Sequence, residues 1–293
     1  MKRKHILLII IGVVILLLSK PLIYYINDYL PPKDKLHGLD YRKFRDTPVW
    51  PLAKAARIGD IKKMEKILST GTVDVNFRDP TEGFSLLHLA VSRKKYDVVK
   101  TLLDFGADPN LYSDSTVVRS SGINAMCIDT SAEIFRLLLN RGGDPNSAEI
   151  YTNPWKNRRS ALMNHIIYGN KEIVQQLVES GVDINSPIPK PPVIQASLRR
   201  HYDITLYLLQ AGAEYQNAYF VNVHSDTIGL LGTLRLDCYY DDLNSKRHRQ
   251  KMKVVEYLMG KGMNYWEEPI PDYIQDKIKE MYPDTWKEFL KKY

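Results

Sequence analysis

The stretch Leu102–Asn110 reads LLDFGADPN, and copies of it recur along the chain. LLLNRGGDPN follows at Leu137–Asn146 and LVESGVDIN at Leu177–Asn185. Weaker copies begin at three further positions, namely ILSTGTVDVN at Ile67, LLQAGAEYQN at Leu208 and YLMGKGMNYW at Tyr257. In the clearest copies, two leucines complete an amphipathic helix, and a glycine can then adopt the left-handed conformation that ends it. Asp-Pro-Asn predicts an extended turn, because proline disfavours helix at the residue before it.

Six glycines mark these copies, and we assign them a structural role as helix ends. They are Gly71, Gly106, Gly142, Gly181, Gly212 and Gly262, at spacings of 35, 36, 39, 31 and 50 residues. A drifting period of about 33 residues is typical of a stacked repeat rather than of a single globular core. Upstream of each glycine there is room for two short helices. In the second copy these are SLLHLAVSRKK and YDVVKTLLDFG, each with one apolar stripe.

The segment Ser85–Asn110 resembles the ankyrin repeat, whose pattern reads TPLHxAxxxGxxxxVxxLLxxGADPN. Ser85 stands at the family's threonine and His88 at its histidine, and the segment Ser160–Asn185 is also similar. The resemblance covers about residues 49–266. It implies an all-α solenoid of about six helix-turn-helix repeats, in which the His88 imidazole bridges the backbone of adjacent repeats. We interpret His165, on the corresponding helix of a later repeat, as structural in the same way.

The first 27 residues have a different composition from the repeats. The basic Met1–Lys4 precedes the unbroken apolar run Ile6–Leu18, and Leu22–Ile26 resumes it. As a helix the two runs reach the thickness of a bilayer core, about 30 Å, so we expect an uncleaved transmembrane anchor at residues 1–27. The alternative is a cleaved signal peptide, which has the same basic start and apolar core.

The basic N-terminus predicts the orientation of this anchor. Positive charge before a membrane helix is typically retained in the cytoplasm, so the rest of the chain is expected outside it. In a bacterium this corresponds to a single-pass protein of the inner membrane with its repeats in the periplasm. Residues 28–48, with Pro31 and Pro32, are predicted to be a linker, and residues 267–293 a C-terminal helical cap. Residues 221–252 are an insertion in the last repeat.

Composition and motifs argue against catalysis. The net charge of +7 includes three units from Lys2–Lys4, and the mildly basic remainder does not favour nucleic acid. The chain has no Gly-rich phosphate loop, Cys-x-x-Cys, Gly-x-Ser-x-Gly or His-Glu-x-x-His motif. We therefore expect no enzyme activity, metal, cofactor or small-molecule substrate. His224, Asp226 and Cys238 match no catalytic or metal-binding spacing. We expect Cys127 and Cys238 to be buried free thiols.

Protein binding is the expected activity, because a solenoid presents an extended concave face and a row of projecting turns. Two of the turns carry residue types that dominate interface energies. Two first helices end in arginines that we predict to line the concave face. The predicted contact residues are Tyr112, Arg119, Tyr151, Trp155, Arg158 and Arg159 in the turns, and Arg93 and Arg199 at the helix ends.

The segment Ser245–Lys253 reads SKRHRQKMK and is the strongest basic cluster outside the N-terminus. It is either a solvated helix start or a patch for an acidic partner or anionic lipid headgroups. Nucleic-acid binding would also require stacking aromatic side chains beside the basic groups, so we do not expect it.

Ankyrin repeats behind an N-terminal export anchor resemble bacterial immunity proteins encoded beside secreted toxins. The resemblance implies a partner such as a type VI secretion phospholipase, which the chain binds and neutralises in the periplasm. Two alternatives remain open. One is a structural scaffold or protective partner of another envelope protein, and the other is an enzyme hidden in the long insertion.

Overall fold

The computed structural model of this chain is a stack of short helical units. It describes residues 35–36, 38–113, 121–151, 159–186, 190–221, 227–236 and 243–292. Within these ranges no helix has both the length and the apolar character needed to cross a membrane. The predicted anchor at residues 1–27 lies outside the described residues.

Six successive units of the described chain end at the repeated glycines, and most contain two helices. In chain order the elements are α1 (Trp50–Ile58) and α2 (Ile61–Leu68), α3 (Leu86–Ser92) and α4 (Tyr96–Asp104), a 3-10 turn (Ala125–Cys127) and α5 (Ala132–Asn140), α6 (Ala161–Tyr168) and α7 (Lys171–Glu179), α8 (Pro192–Leu198) and α9 (Tyr202–Gln210), and α10 (Leu230–Arg235) and α11 (Lys246–Met259). A loop of two or three residues joins the helices in four of these pairs, so paired helices run antiparallel. The joining loops therefore lie at one edge of the stack and the projecting turns at the other.

Polar side chains fix where several helices begin. Ser85 precedes α3, and its hydroxyl and backbone N–H both bond to the His88 ring in a capping box. Ser160 Oγ accepts from the backbone N–H of Met163 at the start of α6, at 3.2 Å. Such contacts satisfy backbone N–H groups that have no partner inside the helix, so these residues set the helix boundaries.

The third unit departs from the prediction of two helices. Its first element is only the 3-10 turn Ala125–Cys127, after which Ile128 is extended. The preceding Asn124 makes no side-chain cap bond, and its side-chain amide donates to Ser147 Oγ at 2.8 Å. Thr130 then donates to the carbonyl oxygen of Val91 in the previous unit, at 3.2 Å. The segment is thus held by contacts to neighbouring units rather than by helix capping.

The asparagine of the repeated phrase links two of the turns to the next one through a pair of hydrogen bonds. The Asn110 side-chain amide donates to the carbonyl oxygen of Gly142 (2.8 Å), and its amide oxygen accepts from the backbone N–H of Asp144 (2.8 Å). Asn76 makes the same two bonds to Gly106 and Asp108, at 3.0 and 2.8 Å. The phrase glycines all have positive φ, from 65° to 92°, which places their carbonyl groups for this ladder.

One continuous apolar core runs through the stack, from Tyr41 to Tyr265. Alanines in five of the units are fully buried, which allows their helices to approach closely. They are Ala56, Ala90, Ala125, Ala161 and Ala196. The apolar face of each unit is therefore covered by its neighbours, as expected for a repeat that cannot bury it alone.

The projecting turns contain short strands, so the expectation of an all-α fold is correct only for the layered helices. β1 (Ser121–Gly122) pairs antiparallel with β2 (Ile150–Tyr151), which belongs to the following turn. β3 (Tyr219–Val221) and β4 (Thr227–Gly229) form a second antiparallel pair in the last turn. Extended turn backbones need hydrogen-bond partners, and adjacent extended segments supply them.

Part of the predicted linker at residues 28–48 belongs to the folded stack. Tyr41–Phe44 is a 3-10 helix capped by Asp40, and Tyr41, Lys43 and Phe44 are buried. The buried Lys43 ammonium pairs with the Glu82 carboxylate. The prediction of a linker was wrong for residues 41–44, because Tyr41 and Phe44 belong to the apolar core and Lys43 is paired.

The C-terminal residues 267–293, predicted to form a helical cap, contain α12 (Asp272–Met281) and α13 (Trp286–Lys292). Ile274 and Ile278 form a small apolar cluster with Leu236, among other neighbours. Their capping role remains a prediction.

Replacing Asn110 with alanine is expected to lower the free energy of unfolding by about 1–2 kcal/mol, because two hydrogen bonds between units are lost. Asn140→Ala, at an exposed helix end, is the matched control and should have little effect. Urea denaturation followed by circular dichroism measures both variants. Equal stability of the two variants would show that the asparagine ladder does not support the stack.

Candidate protein-binding groove

Two of the predicted contact residues in the projecting turns make contacts within the chain. The Tyr112 hydroxyl donates to the carbonyl oxygen of Ala148 at 3.0 Å. The Arg159 guanidinium pairs with the buried carboxylate of Glu149 at 3.3 Å, and Glu149 also accepts from Asn164 Nδ2 at 2.9 Å. Tyr112 therefore helps to hold neighbouring turns together, and Arg159 is paired within its own turn, whatever surface they also present to a partner.

The side chains of the other predicted turn residues are not described. Arg119, Trp155 and Arg158 lie outside the described residues, and only the backbone of Tyr151 is placed, in β2. Their assignment as contact residues stays a prediction.

The two histidines singled out by sequence connect neighbouring units. His88 Nε2 lies 3.0 Å from the carbonyl oxygen of Ile123 in the next unit, and His165 Nε2 lies 3.0 Å from that of Met126 in the previous one. Burial lowers the pKa of each imidazole to about 4. Both rings are therefore neutral at pH 7 and act as hydrogen-bonding links.

The described residues offer no obvious reactive centre. Cys127 is buried, and burial, followed by the charge of Glu149, raises the pKa of its thiol to about 12. The thiolate that acts as nucleophile is therefore scarce at neutral pH. No group of three or more His, Cys, Asp or Glu side chains is arranged for a metal ion within the described ranges. His224, Asp226 and Cys238 lie outside them.

Arg93 and Arg199 lie in the loops that join paired helices, at the edge opposite to the projecting turns. Arg93 is exposed and donates to the carbonyl oxygen of Leu39 at 3.3 Å. Arg199 is also exposed and follows α8 directly. The structure thus places Arg93 and Arg199 at the edge opposite to the described turn residues Tyr112 and Arg159.

Four of the joining loops share one backbone conformation. In each, a residue with positive φ donates its N–H three residues back into the first helix. Two loops place glycine there, Gly59 and Gly169, both at φ 77°. The other two place Lys94 (φ 53°) and Arg200 (φ 61°). Side chains with a Cβ pay about 1–2 kcal/mol for this conformation, so the two cations occupy positions better suited to glycine.

His201 links the loop after α8 to the preceding unit. Its Nε2 lies 3.4 Å from the carbonyl oxygen of Ile167, and its ring lies directly against Gly169. A Cβ on Gly169 would come within 2.7 Å of His201 Cε1, so only glycine permits this approach. The contact forms one side of an open groove.

This groove lies between the loop after α8 and the start of α11 and has a volume of about 950 Å³. It is called the basic groove below. Its lining residues are Gly169, Leu198, Arg199, Arg200, His201, Asp203, Ser245, Lys246, Arg247 and Gln250. The loop and the helix start come from consecutive units, so stacking of those units creates the groove.

Two further recesses adjoin the basic groove, one at the joining-loop edge and one on the face formed by α7, α9 and α11. One, of about 340 Å³, runs from Thr130 to Ile173 and shares Gly169 with the groove. The other, of about 330 Å³, shares Asp203 and Gln250. Neighbouring recesses thus share lining residues, and together the three recesses are lined by four successive units.

Comparison with known families identifies the repeated units. The family profile "Ankyrin repeats (3 copies)" matches residues 123–218, and the profile "Ankyrin repeat" matches residues 82–114. The chain therefore contains ankyrin repeats.

Curated proteins with ankyrin repeats are similar to parts of the chain. Human "Ankyrin repeat and SOCS box protein 6" is 30% identical over 146 residues, which cover 46% of this chain and 32% of that protein. Mouse "Ankyrin repeat domain-containing protein 40" is 42% identical over 57 residues, covering 20% of this chain and 15% of that protein. The chain thus spans a third or less of the length of these relatives.

A solved structure supports the fold. The crystal structure of the human ASB11 ankyrin repeat domain superposes with a TM-score of 0.50 at 21% sequence identity, covering 69% of this chain and 82% of that one. The described stack is therefore a mostly helical ankyrin-repeat solenoid.

Arg200→Gly is expected to stabilise the fold by up to about 1 kcal/mol, because glycine relieves the left-handed conformation at that position. Lys94→Gly, at the equivalent position outside the groove, is the matched variant and should shift the unfolding midpoint in the same direction. Thermal and urea unfolding measure both. A loss of stability in either variant would show that contacts of that side chain outweigh the backbone strain.

Proposed function

We propose that this ankyrin-repeat chain is a protein-binding module whose partner lies along the edge formed by the joining loops. The observation that carries the proposal is a series of three recesses that share lining residues and involve four units, two of them at that edge and the third beside it on the helix face. A linear series of recesses suits an extended segment of another protein, and a solenoid presents such a series on a rigid support. At the opposite edge, described polar groups such as the Tyr112 hydroxyl already bond within the chain.

We further propose that the chain acts by binding and not by catalysis. Its buried histidines are neutral at pH 7, and the buried Cys127 thiol is protonated there. These features support a structural use of the groups that would otherwise be candidates for acid–base or nucleophilic chemistry.

A more specific proposal is that the chain is an immunity protein, anchored in the bacterial inner membrane, that neutralises a secreted toxin in the periplasm. Support comes from the sequence, in which the basic Met1–Lys4 precedes the apolar run Ile6–Leu18 and the repeats follow. A toxin such as a type VI secretion phospholipase would be occluded by the bound solenoid. A scaffold or protective partner of another envelope protein is the alternative.

A photo-crosslinking amino acid at Gln250, which lines two of the recesses, is expected to trap one partner protein in living cells. The same group at the exposed Lys62 of α2 is the matched control and should give no adduct of that mass. Electrophoresis followed by mass spectrometry identifies the adduct. If the partner crosslinks at Lys62 as strongly as at Gln250, or at neither position, it does not lie along the joining-loop edge.

The identity of that adduct separates the specific proposals. For an immunity protein, one equivalent of the full-length chain is expected to abolish the activity of the trapped enzyme in a hydrolysis assay. Full enzyme activity in a stable complex would contradict neutralisation and favour the scaffold.

A further inference from the structure

The basic groove gathers cationic side chains that are distant in the sequence. Arg199 and Arg200 follow α8, whereas Lys246 and Arg247 form the first turn of α11. Asp203 is the one carboxylate among the described residues that line it. Positive charge thus lies on both sides of the recess.

A neighbouring lysine reflects this concentration of charge. The pKa of Lys190 is lowered, first by partial burial and then by the charge of Arg199. The positive charge of Arg199 thus also affects Lys190, which does not line the groove.

The sequence places these cations where they do not favour folding. A helix start attracts negative charge, yet α11 has no acidic residue in its first turn and carries Lys246 and Arg247 there. Cations at this end cost about 0.3–1 kcal/mol at exposed positions. Arg200 also occupies a left-handed position that the preceding unit gives to Gly169. These local costs indicate that positive charge in the groove serves something other than stability.

The shape and lining of the groove discriminate between classes of anionic partner. A bilayer surface is broad and cannot enter a recess of about 950 Å³ between two units. Membrane-binding surfaces also combine basic groups with inserting aromatic and aliphatic side chains, whereas Leu198 is the one large apolar residue among the described lining residues. Single-stranded nucleic acid is held by successive aromatic stacking platforms, and no Tyr, Trp or Phe is among the described residues that line the groove. In the adjoining recess Tyr202 is fully buried, which leaves the partly exposed Tyr207 as a single ring rather than a series.

We propose that the basic groove binds an acidic, extended segment of a partner protein, with its carboxylates facing Arg199 and Lys246. Arginine matches a carboxylate with two parallel hydrogen bonds, and lysine adds a point charge. An extended segment rises about 3.3 Å per residue. A segment of several residues is therefore long enough to reach from the groove into the adjoining recess. That recess is lined by Lys171 and Lys253, which supply further positive charge.

This inference rests on the proposed protein-binding function and names the chemistry of the partner segment. The probe is a ten-residue peptide of alternating glutamate and serine with a neutral fluorophore, titrated by fluorescence anisotropy. The full-length chain is used in a non-ionic detergent at about 0.15 M salt, where long-range charge effects are screened. A peptide with glutamine in place of each glutamate tests for charge-independent binding.

The double variant Arg199→Glu/Lys246→Glu is expected to raise the peptide Kd more than about tenfold. Glutamate at position 246 suits a helix start, so this variant should fold with an intact α11. Lys62→Glu/Lys66→Glu, on the exposed face of α2, makes the same change of net charge away from the groove and should leave the Kd unchanged. Circular dichroism confirms that both variants are folded.

The inference would be overturned if the glutamate peptide did not bind, if both double variants weakened binding equally, or if the glutamine peptide bound equally well. Competition by inorganic phosphate or by phosphatidylserine vesicles at low concentration would also overturn it, because the groove would then recognise a phosphate group or a lipid surface. Any of these leaves the crosslinking test at Gln250 intact, so a protein-binding chain with a different recognition chemistry remains distinguishable.

Discussion

The contact between consecutive units governs this structure, because two short helices cannot cover their own apolar face. Buried alanines let the helices of adjacent units approach, and one apolar core runs from Tyr41 to Tyr265. In the first units the asparagine of the phrase then sets the register, since Asn76 and Asn110 bond to both a carbonyl oxygen and an N–H of the next turn. Stacking therefore fixes where every loop and turn lies.

Stacking also gives the two edges of the solenoid different properties. At the turn edge, polar side chains bond between units, as the Tyr112 hydroxyl does with the carbonyl oxygen of Ala148. At the loop edge, short loops with a shared backbone conformation leave recesses between units. Arg199 and Lys246 line the same recess from opposite sides because they belong to consecutive units. The basic groove is thus a product of assembly, and an isolated unit would contain only half of it.

The phrase LLDFGADPN carries enough information to predict the repeat architecture. Its leucines, glycine and Asp-x-Asn turn specify a helix end locally, and the positive φ of the phrase glycines agrees with that prediction. The 3-10 turn in place of a first helix in the third unit was harder to predict, because Asn124 and Thr130 bond to partners far away in sequence. Tyr41–Phe44 was assigned to a linker because the segment follows two prolines and carries many charges. The pairing of Lys43 with the distant Glu82 leaves no local signal in the sequence.

The groove could be predicted only in separate pieces. Arg199 was identified as a helix-end cation and the segment Ser245–Lys253 as a basic cluster, but 46 residues separate Arg200 from Lys246. Their proximity depends on the insertion that lengthens the last repeat and on the packing of α9 against α11, neither of which follows a local pattern. The left-handed conformation of Arg200 was also missed, because its two loop neighbours in sequence are polar and carry no helix-ending glycine.

Hydrogen–deuterium exchange of the full-length chain, alone and with its crosslinked partner, tests the location of binding most directly. Backbone amides in a protein interface are protected when the complex forms. Binding in the basic groove predicts slower exchange at residues 198–203 and 245–250, with little change in α2. Protection confined to the turns around Tyr112 and Arg159, with unchanged exchange in the groove, would contradict it and assign recognition to the opposite edge.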